Sequence, residues 1–88
     1  MQVLFRKDRN TKEVVAFLPE AMANYGYILS YAHKGQHSEA IFEYYQDTQQ
    51  ATEEEYKPLL AELEAVYSGE TLEVKKRLNM DVLRMAWV

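Results

Sequence analysis

Residues 13–20, EVVAFLPE, decide the fold, because an extended chain of this sequence is apolar on both of its sides. Alternate residues of a strand point to opposite faces of a sheet. Val15 and Phe17 therefore face one way, and three further apolar residues face the other: Val14, Ala16 and Leu18. A strand that is apolar on both faces is typical of the interior of a sheet, so we predict that this one does not lie at an edge.

The residues on either side are predicted to form two further strands. QVLFRKD, residues 2–8, comes first, and Asn10 in the short connection favours a hairpin. YGYILSYAH, residues 25–33, follows after a connector and carries aromatic residues at a period of two, which suit a pleated, half-buried surface. The residues predicted to share this face are Tyr25, Tyr27, Leu29, Tyr31 and His33.

The clearest helix is predicted at about residues 53–67. Thr52 and Glu55 make the capping box S/T-x-x-E at its start. Pro58 conflicts with a regular helix, because it lies past the first turn and removes a backbone hydrogen bond. Two alternatives stay open: the helix kinks at Pro58, or its regular part begins near Lys57.

Two shorter helices and a last strand complete the pattern. One helix is predicted near residues 38–47 with Ser38 as its cap, although the aromatic content of this run also suits a strand, and another helix is predicted near residues 80–87 after Asn79. TLEVKKRL, residues 71–78, alternates apolar and charged side chains, which is typical of an edge strand.

These elements predict one α+β domain over residues 1–88, a length that supports a modest core. Its architecture is a small antiparallel sheet of three to four strands with one major and two short helices, in the order β-β-β-α-α-β-α. The major helix and one short helix can cover only one face of such a sheet. Because the second strand is apolar on both faces, we expect a homodimer whose contact buries part of the other sheet face or the C-terminal helix.

The composition indicates a cytoplasmic protein. The chain has no cysteine, its first residues lack an apolar signal segment, and no apolar run approaches the ~18 residues that cross a membrane. The net charge is −4, and most acidic residues lie within residues 39–64. An acidic middle argues against broad nucleic-acid binding, because phosphate contacts need a continuous basic surface. No cofactor is predicted.

Three pieces of the sequence carry a family resemblance. They are FLPE at residues 17–20, YAHKGQH at residues 31–37 and ATEEEY at residues 51–56. They resemble the Phe-Pro-Glu, Tyr-x-His-x-Gly-Gln-His and Ala-Thr-x-Glu-Glu-Tyr motifs of small uncharacterised proteins of bacteria and their mobile elements. The leucine inside FLPE departs from that pattern, and the resemblance extends to about residue 67. It implies a bacterial origin and an intracellular location, and it supplies no mechanism.

The stretch SYAHKGQHSEA, residues 30–40, holds both histidines and is the best place for a small-ligand site. Its candidate residues are Tyr31, His33, Gly35, Gln36, His37 and Ser38. On a helix this spacing would put both histidines on one face, as in zinc motifs, but the intervening glycine disfavours a helix and a third ligand is not apparent, so no metal site is predicted. A histidine beside Glu39 and a tyrosine hydroxyl has the groups for proton transfer, but no activated nucleophile is recognisable and no catalytic residue is assigned. The sequence favours a structural corner, where polar groups satisfy the backbone between a strand and a helix.

The leading functional hypothesis is a non-catalytic protein-interaction or accessory module, with an unknown protein partner and possible self-association. Tyr27, Tyr31 and Trp87 are the candidate interface residues, because exposed aromatic side chains suit protein contacts. One alternative is a small enzyme or ligand-binding protein that uses His33 and His37. Another is nucleic-acid contact through basic residues of the first and last strands, should these be neighbours: Arg6, Lys7, Lys75, Lys76 and Arg77.

Overall fold

The protein is described by a computed structural model that covers residues 1–32 and 36–88. Its strands are β1 Gln2–Lys7, β2 Val14–Leu18, β3 Tyr27–Ala32, β4 Gln36–Ile41, β5 Gln49–Gln50 and β6 Glu73–Val74. Its helices are α1 Phe42–Asp47, α2 Glu53–Val66 and α3 Met80–Ala86. The α+β class and the predicted succession of elements are confirmed, and two strands, β4 and β5, are added on either side of α1.

Within the described residues, one sheet of six strands forms the centre of the molecule. Its order is β4-β3-β2-β1-β5, and β6 pairs with β1 as well. The pairs from β1 to β4 are antiparallel, whereas β6 is parallel to β1 and shorter than the sequence predicted. β2 lies inside the sheet, as predicted, with Ala16 opposite Phe5 on one side and opposite Tyr31 on the other.

The major helix α2 covers one face of the sheet. Its buried residues Leu59 and Leu63 pack against apolar side chains of the inner strands. Phe5 of β1 stacks on Tyr56 of α2, with ring centroids 4.4 Å apart. The other strand residues of this cluster are Val3, Ala16, Leu18 and Tyr31. Burial of this apolar surface is the main stabilising contribution on this face.

The opposite face is covered by α1 and α3 together. Tyr45 of α1 meets Phe17 edge-on, with ring centroids 5.1 Å apart, and Leu83 of α3 is fully buried in the same cluster. The strand residues of this cluster are Leu4, Val15, Phe17 and Ile28. Both apolar sides of β2 are therefore buried within one chain. The expectation of an uncovered face was wrong, because two short helices share a face that one could not cover, and a dimer across that face loses its premise.

The helix predicted near residues 38–47 begins later than its sequence suggested. Residues 36–41 form β4, and α1 starts at Phe42 with Ile41, not Ser38, at the N-cap. All six residues of β4 pair with β3. This pairing outweighs the preference of Glu39 and Ala40 for a helix, because local propensities are weak compared with tertiary contacts.

The caps of the other two helices are as predicted. Thr52 and Glu55 form the capping box, so α2 begins at Glu53 and continues through Pro58. Asn79 caps α3 and accepts hydrogen bonds from two backbone N–H groups of its first turn. In the described part of the chain, no helix is both long and apolar enough to span a membrane.

Candidate protein-interaction edge

The described residues of the histidine stretch, 30–32 and 36–40, belong to two paired strands, and none of them starts a helix. His33 and Gly35 lie outside the described residues. Gln36, His37 and Ser38 belong to β4, where they pair with three residues of β3: Ala32, Tyr31 and Ser30. The predicted role of Ser38 as a helix cap is therefore wrong. Its hydroxyl lies 3.2 Å from the Ser30 hydroxyl, and the Ser30 hydroxyl donates to the Ser38 carbonyl at 2.9 Å.

His37 lies in an aromatic and polar cluster between β4 and α2. Its Nε2 shares a hydrogen bond of 2.6 Å with the Tyr67 hydroxyl. Its ring meets Tyr31 edge-on at 4.8 Å and Tyr67 edge-on at 5.8 Å. The Tyr31 hydroxyl donates to Glu62 Oε1 at 2.7 Å. Each of these groups thus has a hydrogen-bond partner inside the cluster, which ties the outer strand to the helix.

The environment of this cluster keeps its two tyrosine hydroxyls in the protonated form. The hydrogen bond to Glu62, together with burial, raises the pKa of Tyr31, and burial raises the pKa of Tyr67. Both hydroxyls therefore stay protonated near neutral pH, and neither is poised to accept a proton. Among the described residues, no group of three His, Cys, Asp or Glu side chains is placed to hold a metal ion.

The outer side of β4 is a row of backbone groups directed away from the sheet. The Phe42 N–H donates to the Gly26 carbonyl at 2.9 Å, which makes residues 42 and 26 a hydrogen-bonded pair. In an antiparallel ladder such pairs alternate with non-bonded ones. The N–H and C=O groups of His37 and Glu39 and the N–H group of Ile41 therefore point away from β3, whereas the Ile41 carbonyl lies at the N-cap of α1. No strand of the described residues pairs with this side of β4, which we call the open edge.

The other edge of the sheet, along β1, is covered. The Met1 and Val3 carbonyls accept hydrogen bonds from the residues of β6 and just after it, at 2.8 Å each. The Phe5 carbonyl accepts from the Ala51 N–H at 3.1 Å, and Lys7 pairs with Gln49 of β5. β5 and β6 thus cover successive parts of the outer side of β1. We call this covered side of β1 the closed edge. A cleft of about 440 Å³ lies beside it, between the start of α2 and β6.

The candidate interface residues lie in different environments. Tyr31 is buried and so is not available for a contact, contrary to the prediction. Tyr27 is exposed and faces Ile41, which is also exposed, across the β3–β4 pair. Trp87 is half-buried: its Nε1 donates to the Tyr27 carbonyl at 2.6 Å, and its ring packs on Tyr25 at 4.7 Å. Tyr27 and Trp87 are therefore brought together near the open edge, while Tyr31 belongs to the core.

The basic residues do not form a continuous surface. β1 and β6 are neighbours, as the nucleic-acid alternative required. Arg6, however, donates to the Thr48 hydroxyl and carbonyl and lies over the Tyr45 ring. Lys7 is paired with Glu55. Two of the five predicted contact residues are thus occupied within the chain, and a phosphate-binding surface would lack them.

Comparisons with protein-family models, with curated proteins and with solved structures give no match.

The open edge was missed by sequence reasoning, although one signal was present. QHSEAI, residues 36–41, follows a glycine directly after a strand, as the second arm of a hairpin does. Glu39 has a partner before β3, since its carboxylate accepts hydrogen bonds from the backbone and side chain of Asn24 at 2.7 and 3.1 Å. Only the fold brings these two residues together.

Proposed function

We propose that this protein is a non-catalytic interaction module that pairs an extended protein segment along β4. The observation that carries the proposal is the open edge, where the backbone groups of His37 and Glu39 and the N–H group of Ile41 point away from the sheet. Strand addition to such an edge is a recurrent mode of protein recognition, in which backbone hydrogen bonds supply affinity and alternate side chains supply specificity.

The side chains of β4 support this proposal. Proteins commonly protect an exposed edge with lysine, proline or a very short strand. β4 has six residues and contains neither lysine nor proline. A segment added to it would lie beside exposed Ile41 and Tyr27 at one end and the polar pair His37 and Glu39 further along. Such an edge is receptive to a second strand and is not blocked against it.

The alternative of a ligand-binding or catalytic site at His37 has less support. The polar atoms of that cluster are already bonded to one another, and both tyrosine hydroxyls are held in their protonated form. A cytoplasmic location in a bacterium or mobile element remains part of the proposal. It is supported by the absence of cysteine from the chain and by the family resemblance of its sequence.

A proline at residue 41 tests the proposal without disturbing the fold. Ile41 has φ −66° and ψ 146°, values that proline adopts, and its N–H points outward. Ile41→Pro therefore removes one donor of the open edge, whereas Ile41→Ala removes the same side chain and keeps the donor. Each variant and the original protein would serve as bait in cell extract, and the bound proteins would be identified by mass spectrometry.

We expect proteins that bind the original chain and Ile41→Ala but are lost with Ile41→Pro. Circular dichroism would establish that both variants are folded. A set of bound proteins that Ile41→Pro leaves unchanged would overturn the proposal, because it would place the contact away from the open edge.

A further inference from the structure

We infer that the segment paired at the open edge is β4 of a second copy of this chain, in antiparallel orientation with Ser38 on the two-fold axis. This inference rests on the proposed function and names its partner. The contact differs from a dimer through the sheet face, because it uses the backbone of one strand and leaves both helical layers in place.

The alternation of β4 restricts how two copies can pair. The outward groups belong to residues 37, 39 and 41, so hydrogen-bonded pairs across a two-fold axis must join odd-numbered residues. Three central registers satisfy this requirement, with Ser38, Glu39 or Ala40 opposite its own copy. With Ser38 on the axis, His37 of each chain lies opposite Glu39 of the other.

Charge and side-chain size favour the register centred on Ser38. It sets an imidazole against a carboxylate twice, whereas the register centred on Glu39 sets two carboxylates directly opposite, which is destabilising. On the other face, two Ser38 side chains meet in a non-hydrogen-bonded pair, where strands approach most closely and small hydroxyl side chains can bond. Ser38 is exposed in the single chain, with its hydroxyl 3.2 Å from the hydroxyl of Ser30.

The closed edge explains why this pairing would stop at two chains. Among the described strands of each chain, β4 is the only long one with an open side, because β5 and β6 cover β1. A two-fold contact uses the same strand of both partners, so the outer backbone groups of β4 become paired in each of them. The product is a closed dimer with one continuous sheet, and the strands left at its outer ends, β5 and β6, have only two residues each.

A cysteine scan along β4 tests whether two copies pair and in which register they do so, since the chain has no cysteine of its own. Ser38→Cys, Glu39→Cys and Ala40→Cys each place one thiol at a possible axis, and Ser68→Cys places one at an exposed site after α2. In a non-hydrogen-bonded antiparallel pair the Cα atoms are about 4.5 Å apart, within the range that a disulfide spans. The fraction of covalent dimer would be followed on non-reducing gels after mild oxidation, alongside the mass of the unmodified protein by light scattering across a dilution series.

We expect Ser38→Cys to form the covalent dimer at least about tenfold faster than the other three variants, with no higher oligomer. Fastest cross-linking at Glu39→Cys or Ala40→Cys would overturn the register and the His37–Glu39 pairing that defines it. Equal rates for Ser38→Cys and Ser68→Cys, with a monomer mass at every concentration, would overturn self-pairing altogether. If Ile41→Pro still lost partners that Ile41→Ala kept, the proposed function would stand without this inference.

Discussion

The two edges of the sheet differ in the length and cover of their outer strands. The closed edge is covered by β5 and β6, which have two residues each and come from the connections on either side of α2. The open edge is a strand of six residues with no such cover in the described part of the chain. Isolated strands of two residues carry almost no stability of their own, so β5 and β6 are held by their neighbours. The comparison teaches that short irregular connections can close an edge that a full hairpin leaves open.

The closed edge is anchored by side chains as well as by backbone. Thr48, directly before β5, is buried; its hydroxyl donates to the Tyr45 carbonyl at 2.6 Å and accepts from Arg6 Nε at 3.0 Å. Lys7 of β1 pairs with Glu55 of α2, which begins just after β5. At the open edge, the corresponding side-chain contacts are the hydrogen bonds of His37 to Tyr67 and of Glu39 to Asn24. Those contacts hold β4 to its own chain and leave its outer backbone free.

The largest effect is expected at Thr48. Replacement by valine keeps the shape of the side chain but removes the hydroxyl and leaves Arg6 Nε without this acceptor in a partly buried site. We expect a loss of about 2–3 kcal/mol in the free energy of unfolding, because a buried group of a charged side chain loses its partner. Thr48→Ser retains the hydroxyl and should cost no more than ~1 kcal/mol for the lost methyl group. Urea denaturation measures both, and equal losses would show that packing, not the hydroxyl, secures the closed edge.

Proline substitutions compare the two edges directly. The Lys75 N–H donates to the carbonyl of fully buried Val3 at 2.8 Å. Lys75→Pro leaves that carbonyl unpaired, and we expect it to cost about 1–2 kcal/mol more than Lys75→Ala. At the open edge, Ile41→Pro should lie within ~0.5 kcal/mol of Ile41→Ala, because the N–H it removes has no partner in the described sheet. Equal costs at both positions, measured by chemical denaturation, would mean that the edges do not differ as described.

The smallest effect expected is a dependence of stability on pH at the closed edge. The hydrogen bond from Lys7, assisted by the Thr52 N–H, lowers the pKa of Glu55 from 4.5 to about 2. A carboxylate with a lowered pKa stabilises the fold above its unfolded value, and that stabilisation is lost as the pH falls from about 4.5 toward 2. Glu55→Gln should flatten the fall in melting temperature over this range. Glu53→Gln, which leaves the Lys7–Glu55 pair in place, should keep it; identical curves for both variants would assign the effect to other groups.

Much of the fold was predictable, because its central features are local or periodic. The apolar sides of β2 identified an inner strand, and Thr52 with Glu55 marked the start of α2 despite Pro58. These signals act over a few residues and do not depend on which element packs against them. The two-sided burial of β2 was predicted as well, but its second cover was sought in another chain and not in α1 and α3.

The open edge could not be predicted with the same certainty, since its cause is not local. Residues 38–40, Ser-Glu-Ala, suit a helix start, and only the six pairs with β3 hold them as a strand. The strand β5 is too short to show any period, and β6 occupies only two residues of the alternating segment 71–78. Among the candidate residues, Tyr31 belongs to the core because α2 packs over it.

Trp87 gives this molecule a built-in optical reporter of the open edge. It is the single tryptophan of the chain, and it is bonded to the Tyr27 carbonyl and packed on Tyr25. Tyr27 pairs with Ile41 at the end of β4, so the indole sits one strand away from the edge and across the sheet from β5. Its emission should respond when α3 detaches from the β3 side of the sheet, and stay constant when β5 and β6 open alone. Fluorescence and backbone circular dichroism would therefore follow separate events in the same sample.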